Sequence, residues 1–162
     1  SIAGYVHEQG KPSVIAINKW DLVSKDDKTI NFYKQRLDSE LKFMDYYLPV
    51  FVSAKTGQRL NTIMPAVIKA YQNSTKKTST SILNEILQDA VAISQPPSKY
   101  GKRLKFYFIS QTGVTPPTFT IQANDSTLVH FSYQRYLENA LRRNIDLSGT
   151  PIKIEFKDKK GE

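Results

Sequence analysis

The stretch Ser13-Val-Ile-Ala-Ile-Asn18-Lys19-Trp20-Asp21 decides the fold class. Val14, Ile15, Ala16 and Ile17 form an unbroken apolar run, the pattern of a parallel strand covered on both faces. The run stops at a polar turn. Asn18, Lys19 and Asp21 therefore fall just past the carboxyl end of the strand, where open α/β sheets bind ligands. Their chemistry suits guanine. The Asp21 carboxylate can accept from both the ring N1–H and the exocyclic amine, the Asn18 amide can reach the O6/N7 edge, and the Lys19 stem can lie along the ring face. Adenine lacks the two-donor edge, and a carboxylate left unpaired is costly, so the set discriminates between the bases. As a bare string, however, Asn-Lys-x-Asp is more often a strand-to-helix turn with a capping Asp.

A second segment shifts that balance. Pro49-Val-Phe-Val-Ser53-Ala54-Lys55-Thr56-Gly57 is another short apolar strand that runs into a polar, glycine-containing loop, one helix further on. The pair resembles the two guanine-recognition motifs of translation-factor-class GTPases, Asn-Lys-x-Asp followed by Ser-Ala-Lys. That resemblance implies roles for the second loop. The Ala54 backbone N–H would meet guanine O6, Ser53 would brace Asp21, and the Lys55 stem would cover the other ring face.

Composition sets wide bounds. The 162 residues suit one ordinary domain or two small ones, and 40% hydrophobic content allows a real core. No apolar run is long enough to span a membrane, and no secretory signal opens the sequence. The absence of cysteine excludes disulfides, thiolate metal ligands and a Cys nucleophile, and is compatible with a cytoplasmic location. Net charge is +8, spread as +3 over residues 1–75 and +5 over 76–162. The basic second half is compatible with a polyanionic partner such as RNA, and equally with a Lys-rich solvated surface.

Taken in order, residues 2–9 read as a short helix ended by Gly10. The strand of Val14 follows, then a helix capped within Ser24–Asp27 whose stripe is Ile30, Tyr33, Leu37, Leu41 and Met44. A strand over 49–53 leads to a helix carrying Leu60, Ile63, Met64, Val67 and Tyr71, with Pro65 in its first turn. This is half of a doubly wound α/β domain, over residues 1–74. Residues 72–80 hold no apolar side chain and read as a linker, with 75–80 as its core.

Residues 81–162 make the second domain. A helix from about Ser81 buries Ile82, Leu83, Ile86, Leu87, Ala90 and Val91, and Pro96-Pro97 stops it. A basic loop, 98–102, leads to strands whose inner faces are Leu104/Phe106/Phe108, Phe119/Ile121/Ala123 and Ile152/Ile154/Phe156. Between the second and third strands lies a helix capped by Ser132, with Tyr133, Tyr136, Leu137, Ala140, Leu141 and Ile145 inward. The order αββαβ predicts a two-layer α+β domain. The opposite sheet face gathers Arg103, Lys105, Tyr107, Lys153, Glu155 and Lys157. It carries one aromatic, Tyr107, too few for base stacking across a sheet, so sequence-specific readout of RNA is not expected there.

Guanine motifs followed by this αββαβ domain, ending in Gly149-Thr-Pro-Ile-Lys-Ile-Glu-Phe156, resemble the EngA (Der) family of bacterial ribosome-assembly GTPases. Gly4-Tyr-Val-His-Glu8 and Leu83-Asn-Glu85 carry the likeness as well. It implies the back half of a second P-loop GTPase domain followed by a KH-like domain, with GTP or GDP as nucleotide and Mg²⁺ only in the complete domain. It further implies a role in biogenesis of the large ribosomal subunit, with rRNA and upstream GTPase domains of the same protein as partners. Two features depart from what such proteins need. No Gly-x-x-x-x-Gly-Lys-Ser/Thr loop occurs, and no Asp-x-x-Gly segment stands ahead of Asn18, so no catalytic residue is assigned and this chain alone is expected to be inactive. Nor does a Gly-x-x-Gly RNA clamp: Gly101, Gly113 and Gly149 are not three apart. His7 and His130 have no partners at ligand spacing, so no metal site is expected. The basic face, Arg103, Lys105, Tyr107, Lys153 and Lys157, then serves either electrostatic contact with RNA or docking to a neighbouring domain that relays nucleotide state.

Overall fold

The computed structural model describes residues 2–23 and 26–159, without the side chain of Asp27. Ser24 in the helix-cap reading lies outside the described residues. The chain divides into two compact units. The first comprises the residues up to Ser74 together with Leu147–Pro151, and the second comprises Thr75–Asp146 with the residues from Ile152 onward.

In the first unit, α1 (Ile2–Glu8), β1 (Val14–Ile17), α2 (Asp27–Glu40), β2 (Leu48–Phe51) and α3 (Ile63–Thr75) alternate as the hydrophobic periods require. β1 and β2 pair in parallel, Val14 opposite Leu48 and Ile17 opposite Phe51. Asp26 caps α2 by accepting the Thr29 N–H at 2.6 Å, and that hydrogen bonding holds its carboxyl below the usual range. α2 ends at Glu40, and the chain re-forms a 3-10 turn over Lys42–Met44. The stripe read as one helix face is thus split between two elements. It still converges: Leu37 and Leu41 pack on Met44, Tyr46 and Tyr47, with Ala3 and Val6 from α1 and Ile15 from β1.

Two expectations for this unit fail. β1 is not covered on both faces: Ala16 is exposed, and among the described residues β2 is its one neighbouring strand. On α3 the large apolar side chains Met64 and Tyr71 are 61% and 62% exposed, whereas Ala70, Asn73 and Ser74 are buried. The reason is the segment Leu147–Pro151. Gly149 sits with backbone φ of 82° so close to α3 that an added Cβ would lie 2.6 Å from Ala70 Cβ. Asn73 Nδ2 donates to the Ser148 carbonyl at 2.8 Å, the Gly149 N–H donates to Tyr46 O, and the Ser13 N–H donates to Gly149 O, the last two at 2.6 Å. Only a helix face of small and hydrogen-bonding side chains admits a backbone this near.

The non-helical part of the polar stretch 72–80 is shorter than its composition suggests. Residues 72–75 continue α3, and the stretch 76–79 is fixed by the Gln111 amide, which accepts from the Thr78 N–H and donates to the Lys76 carbonyl, both at 2.8 Å.

The second unit has α4 (Thr80–Ile93), β3 (Phe106–Gly113), β4 (Thr118–Ala123), α5 (Phe131–Asn144) and β5 (Lys153–Asp158), the αββαβ order expected. The sheet runs β3-β4-β5, antiparallel then parallel. α4 and α5 cover one face. Ile86, Leu87 and Ala90 meet Ile109, Ile121, Leu137, Ala140 and Leu141 around a gap of only about 10 Å³, close packing by the standard of protein interiors. Ile82 is instead half exposed. The cap of α5 is His130, whose Nδ1 accepts the Ser132 N–H at 3.1 Å, not Ser132 itself.

The main departure is in β3. Phe106 opposes Ala123 and Phe108 opposes Gln122, so Tyr107 is an extra residue in a β-bulge. The slip reverses the alternation beyond it: Ile109 is 1% exposed in the core, and Phe108 turns out at 40%. A one-residue shift exchanges faces for every later side chain, and nothing in the apolar string Phe106-Tyr-Phe-Ile109 announces it.

Candidate functional site

Past the ends of β1 and β2 a cleft of about 310 Å³ is lined by Asn18, Lys19, Asp21, Leu22, Ser53, Ala54 and Lys55. The parallel pairing of β1 with β2 delivers both loops to the same edge. Backbone bonds extend that pairing past the strands, Val52 N–H to Ile17 O at 2.9 Å and Trp20 N–H to Val52 O at 3.0 Å. Trp20 anchors the first loop. It is buried against Phe51 and Tyr33, with ring centroids 4.5 and 5.6 Å away. Lys19 before it takes the left-handed conformation, φ 62°, which turns the chain so that Trp20 points in and Asn18 stays out.

Two hydrogen bonds join the loops. Ser53 Oγ–H donates to Asp21 Oδ1 at 2.6 Å, and the Ala54 N–H donates to Asn18 Oδ1 at 3.0 Å. Ser53 is wholly buried and also accepts the Thr56 N–H at 3.2 Å, so its hydroxyl is held in one orientation. Asn18 Oδ1 takes the Lys19 N–H at 2.8 Å as well. That oxygen is therefore committed to backbone, which assigns the Asn18 amide NH₂ to the cleft as a donor. None of the hydrogen bonds among the described residues uses Asn18 Nδ2 or Asp21 Oδ2. The Ala54 N–H is already engaged, and a ligand oxygen there would share it with Asn18. Lys19 and Lys55 are exposed at the margins. The arrangement can take a planar group that presents two adjacent N–H donors to Asp21 and an acceptor edge to Asn18.

On the second unit, the register sets Lys153, Glu155 and Lys157 beside Thr118, Thr120 and Gln122 on the outer sheet face. Lys105, exposed, continues that face ahead of β3, where its backbone N–H and C=O pair with Asn124. Arg103 does not join them. Its Nη2 donates to Gln95 Oε1 at 2.6 Å, beyond the end of α4, the helix on the inner face. Tyr107 lies in the bulge with the Lys159 ammonium 5.2 Å from its ring centre. None of the ion pairs among the described residues involves Lys105, Lys153 or Lys157.

Sequence reasoning missed Trp20, Thr56 and Phe108. The one tryptophan of the chain, set between polar residues, was a readable signal for Trp20. His7 packs between Phe43 and Tyr46, its Nδ1 3.0 Å from the Tyr46 hydroxyl. Among the described residues no group of three His, Cys, Asp or Glu could hold a metal ion, and no helix is long and apolar enough to cross a membrane.

Comparison with known proteins gives the relationship. Residues 77–157 match the KH-domain-like family of EngA bacterial GTPase enzymes, C-terminal. Over 159 residues, 98% of the chain, it is 50% identical to GTPase Der of Clostridium kluyveri and 46% identical to that of Clostridium botulinum strain Langeland. It is 49% identical over 153 residues to GTPase Der of Halalkalibacterium halodurans. The chain spans 36% of the length of the two clostridial relatives and 35% of the third. With its second unit matched by the KH-like model and nearly its whole length aligned to such relatives, the chain belongs to the EngA family, GTPase Der, and corresponds to its C-terminal part.

Proposed function

We propose that this chain supplies the guanine-recognition half of a GTPase domain and a KH-like docking domain of a ribosome-assembly GTPase that works in the cytoplasm. The single observation supporting the first part is the pair of inter-loop hydrogen bonds, Ser53 to Asp21 and Ala54 to Asn18, which preorganise two loops around one cleft. In this reading Asp21 accepts guanine N1–H and the exocyclic amine, and the Asn18 NH₂ donates to O6/N7. The Ala54 N–H is shared with O6, and the Lys19 and Lys55 stems cover the ring faces. GTP or GDP is the nucleotide. The phosphate loop is not in this sequence and no Asp-x-x-Gly segment stands ahead of Asn18, so hydrolysis and any Mg²⁺ belong to the complete domain.

For the second unit we propose electrostatic contact of the outer sheet face with ribosomal RNA through Lys105, Lys153 and Lys157. Tyr107 adds a flat surface, and Arg103 a charge at the margin. One observation favours the alternative, a module that relays nucleotide state to neighbouring GTPase domains. Leu147–Pro151 belong to the first unit although the elements on either side belong to the second.

Asn18→Ala tests the base assignment, because it removes both the loop-joining carbonyl and the amide donor. In the full-length protein, competition of GDP and ADP against a fluorescent guanine nucleotide should show GDP preferred by the wild type. That preference should fall at least about tenfold in the variant, the loss of one hydrogen bond to a preorganised polar site. Equal GDP affinity in both proteins would refute the assignment.

A further inference from the structure

The outer sheet face has a feature that electrostatic docking does not require: two adjacent aromatic rings on the same side of one strand. Phe106 faces inward opposite Ala123, so Tyr107 faces outward. The bulge then brings Phe108 opposite Gln122, outward again. Tyr107 is 49% exposed and Phe108 40%. Exposing two large rings side by side forgoes burial that a regular strand would have given to Phe108, and β-bulges recur where a strand re-aims side chains beside functional sites. Opposite Phe108 on β4 stands Gln122, a flexible polar side chain, and the Lys159 ammonium lies 5.2 Å from the centre of the Tyr107 ring. Lys157 lies beside Gln122 on β5, Lys105 precedes the pair and Lys159 lies against Tyr107, with Glu155 the one acid on the outward face of β5.

We propose that Tyr107 and Phe108 form a stacking platform for unpaired bases of single-stranded RNA, whose phosphates are met by Lys105 and Lys157. This rests on the proposed RNA contact of the same face and adds the feature of RNA that is read: exposed bases, not duplex shape. Stacking is tolerant of sequence because every base has a π-face, so the platform selects single strands without selecting a sequence. Duplex RNA keeps its bases inside and offers a sheet only its backbone and shallow groove.

The test uses the whole chain, with an eight-nucleotide single-stranded RNA carrying 2-aminopurine and a duplex of equal phosphate count. Wild-type protein should bind the single strand more tightly than the duplex and quench the 2-aminopurine. Tyr107→Ala with Phe108→Ala should weaken single-strand binding at least about fivefold, lose the quench and leave duplex affinity unchanged; both side chains are exposed, so folding should survive. Lys105→Glu with Lys153→Glu should weaken both ligands, and more so at low salt. Duplex and single strand bound equally, with no effect of the aromatic double variant, would overturn the platform while leaving electrostatic RNA contact in place. No salt-sensitive RNA binding at all would overturn both, and with them the assignment of this face to RNA.

Discussion

A serine hydroxyl and an asparagine carbonyl hold the cleft together; family resemblance implied Asp21 as the partner of Ser53, whereas the bond from the Ala54 N–H to Asn18 comes from the structure. That Asn18, Asp21, Ser53 and Ala54 lie together follows from two parallel strands ending at one edge, a relation that the apolar runs already implied. The left-handed Lys19 and the inward Trp20 were not legible, because a strained backbone angle has no composition signature outside glycine and asparagine. Two tyrosines show how burial alters single residues. Burial, then the hydrogen bond it donates to Asp38 at 2.9 Å, pushes the Tyr47 phenol up to about 12, and burial with Tyr136 alongside does the same for Tyr133. In both, the folded value is raised above the unfolded one near 10, so their contribution to stability is complete below pH 10 and is lost as pH rises toward 12. A spectrophotometric titration of the protein should therefore show at least two late phenols, and Tyr47→Phe should remove one. Ionisation of every phenol near pH 10 in the folded protein would contradict this.

At the scale of elements, periodicity found α1–α5 and β1–β5 but misassigned faces in two of them. In β3 the bulge at Tyr107 transferred Phe108 outward and Ile109 inward, and a run of four apolar residues gives an alternation argument nothing to hold. In α3 the apolar stripe was real, yet the helix buries its small face, because the partner is a backbone segment from far along the chain. Such a contact is invisible to local pattern, since Gly149 reads simply as a turn. It has a measurable consequence. Gly149→Ala places a Cβ 2.6 Å from Ala70 Cβ at a φ of 82° that disfavours any side chain. The left-handed conformation costs about 1–2 kcal/mol and overpacking a further ~1–3. Urea unfolding should show the variant destabilised by roughly 2–5 kcal/mol, and Ala70→Gly in the same protein should recover part of it. A Gly149→Ala protein as stable as the wild type would mean that the segment does not pack on α3 this closely.

For the whole molecule, the fold class and the αββαβ order were legible because they depend on element type and sequence order, while the excursion of Leu147–Pro151 was not, because it depends on a long-range contact. The functional account rests on the cleft, and its most direct test is to change the base that the cleft accepts. Xanthine has a carbonyl where guanine has its amine, so an amide donor at position 21 suits it and a carboxylate does not. Backbone amide chemical shifts of Asn18, Asp21 and Ala54, followed during titration of the chain with GDP, XDP and ADP, report binding at the loops themselves. The account predicts that the wild type responds to GDP at concentrations at least about tenfold below those needed for XDP or ADP, and that Asp21→Asn reverses the order of GDP and XDP. An Asp21→Asn protein that keeps the wild-type preference, or wild-type amides that respond alike to all three bases, would contradict it.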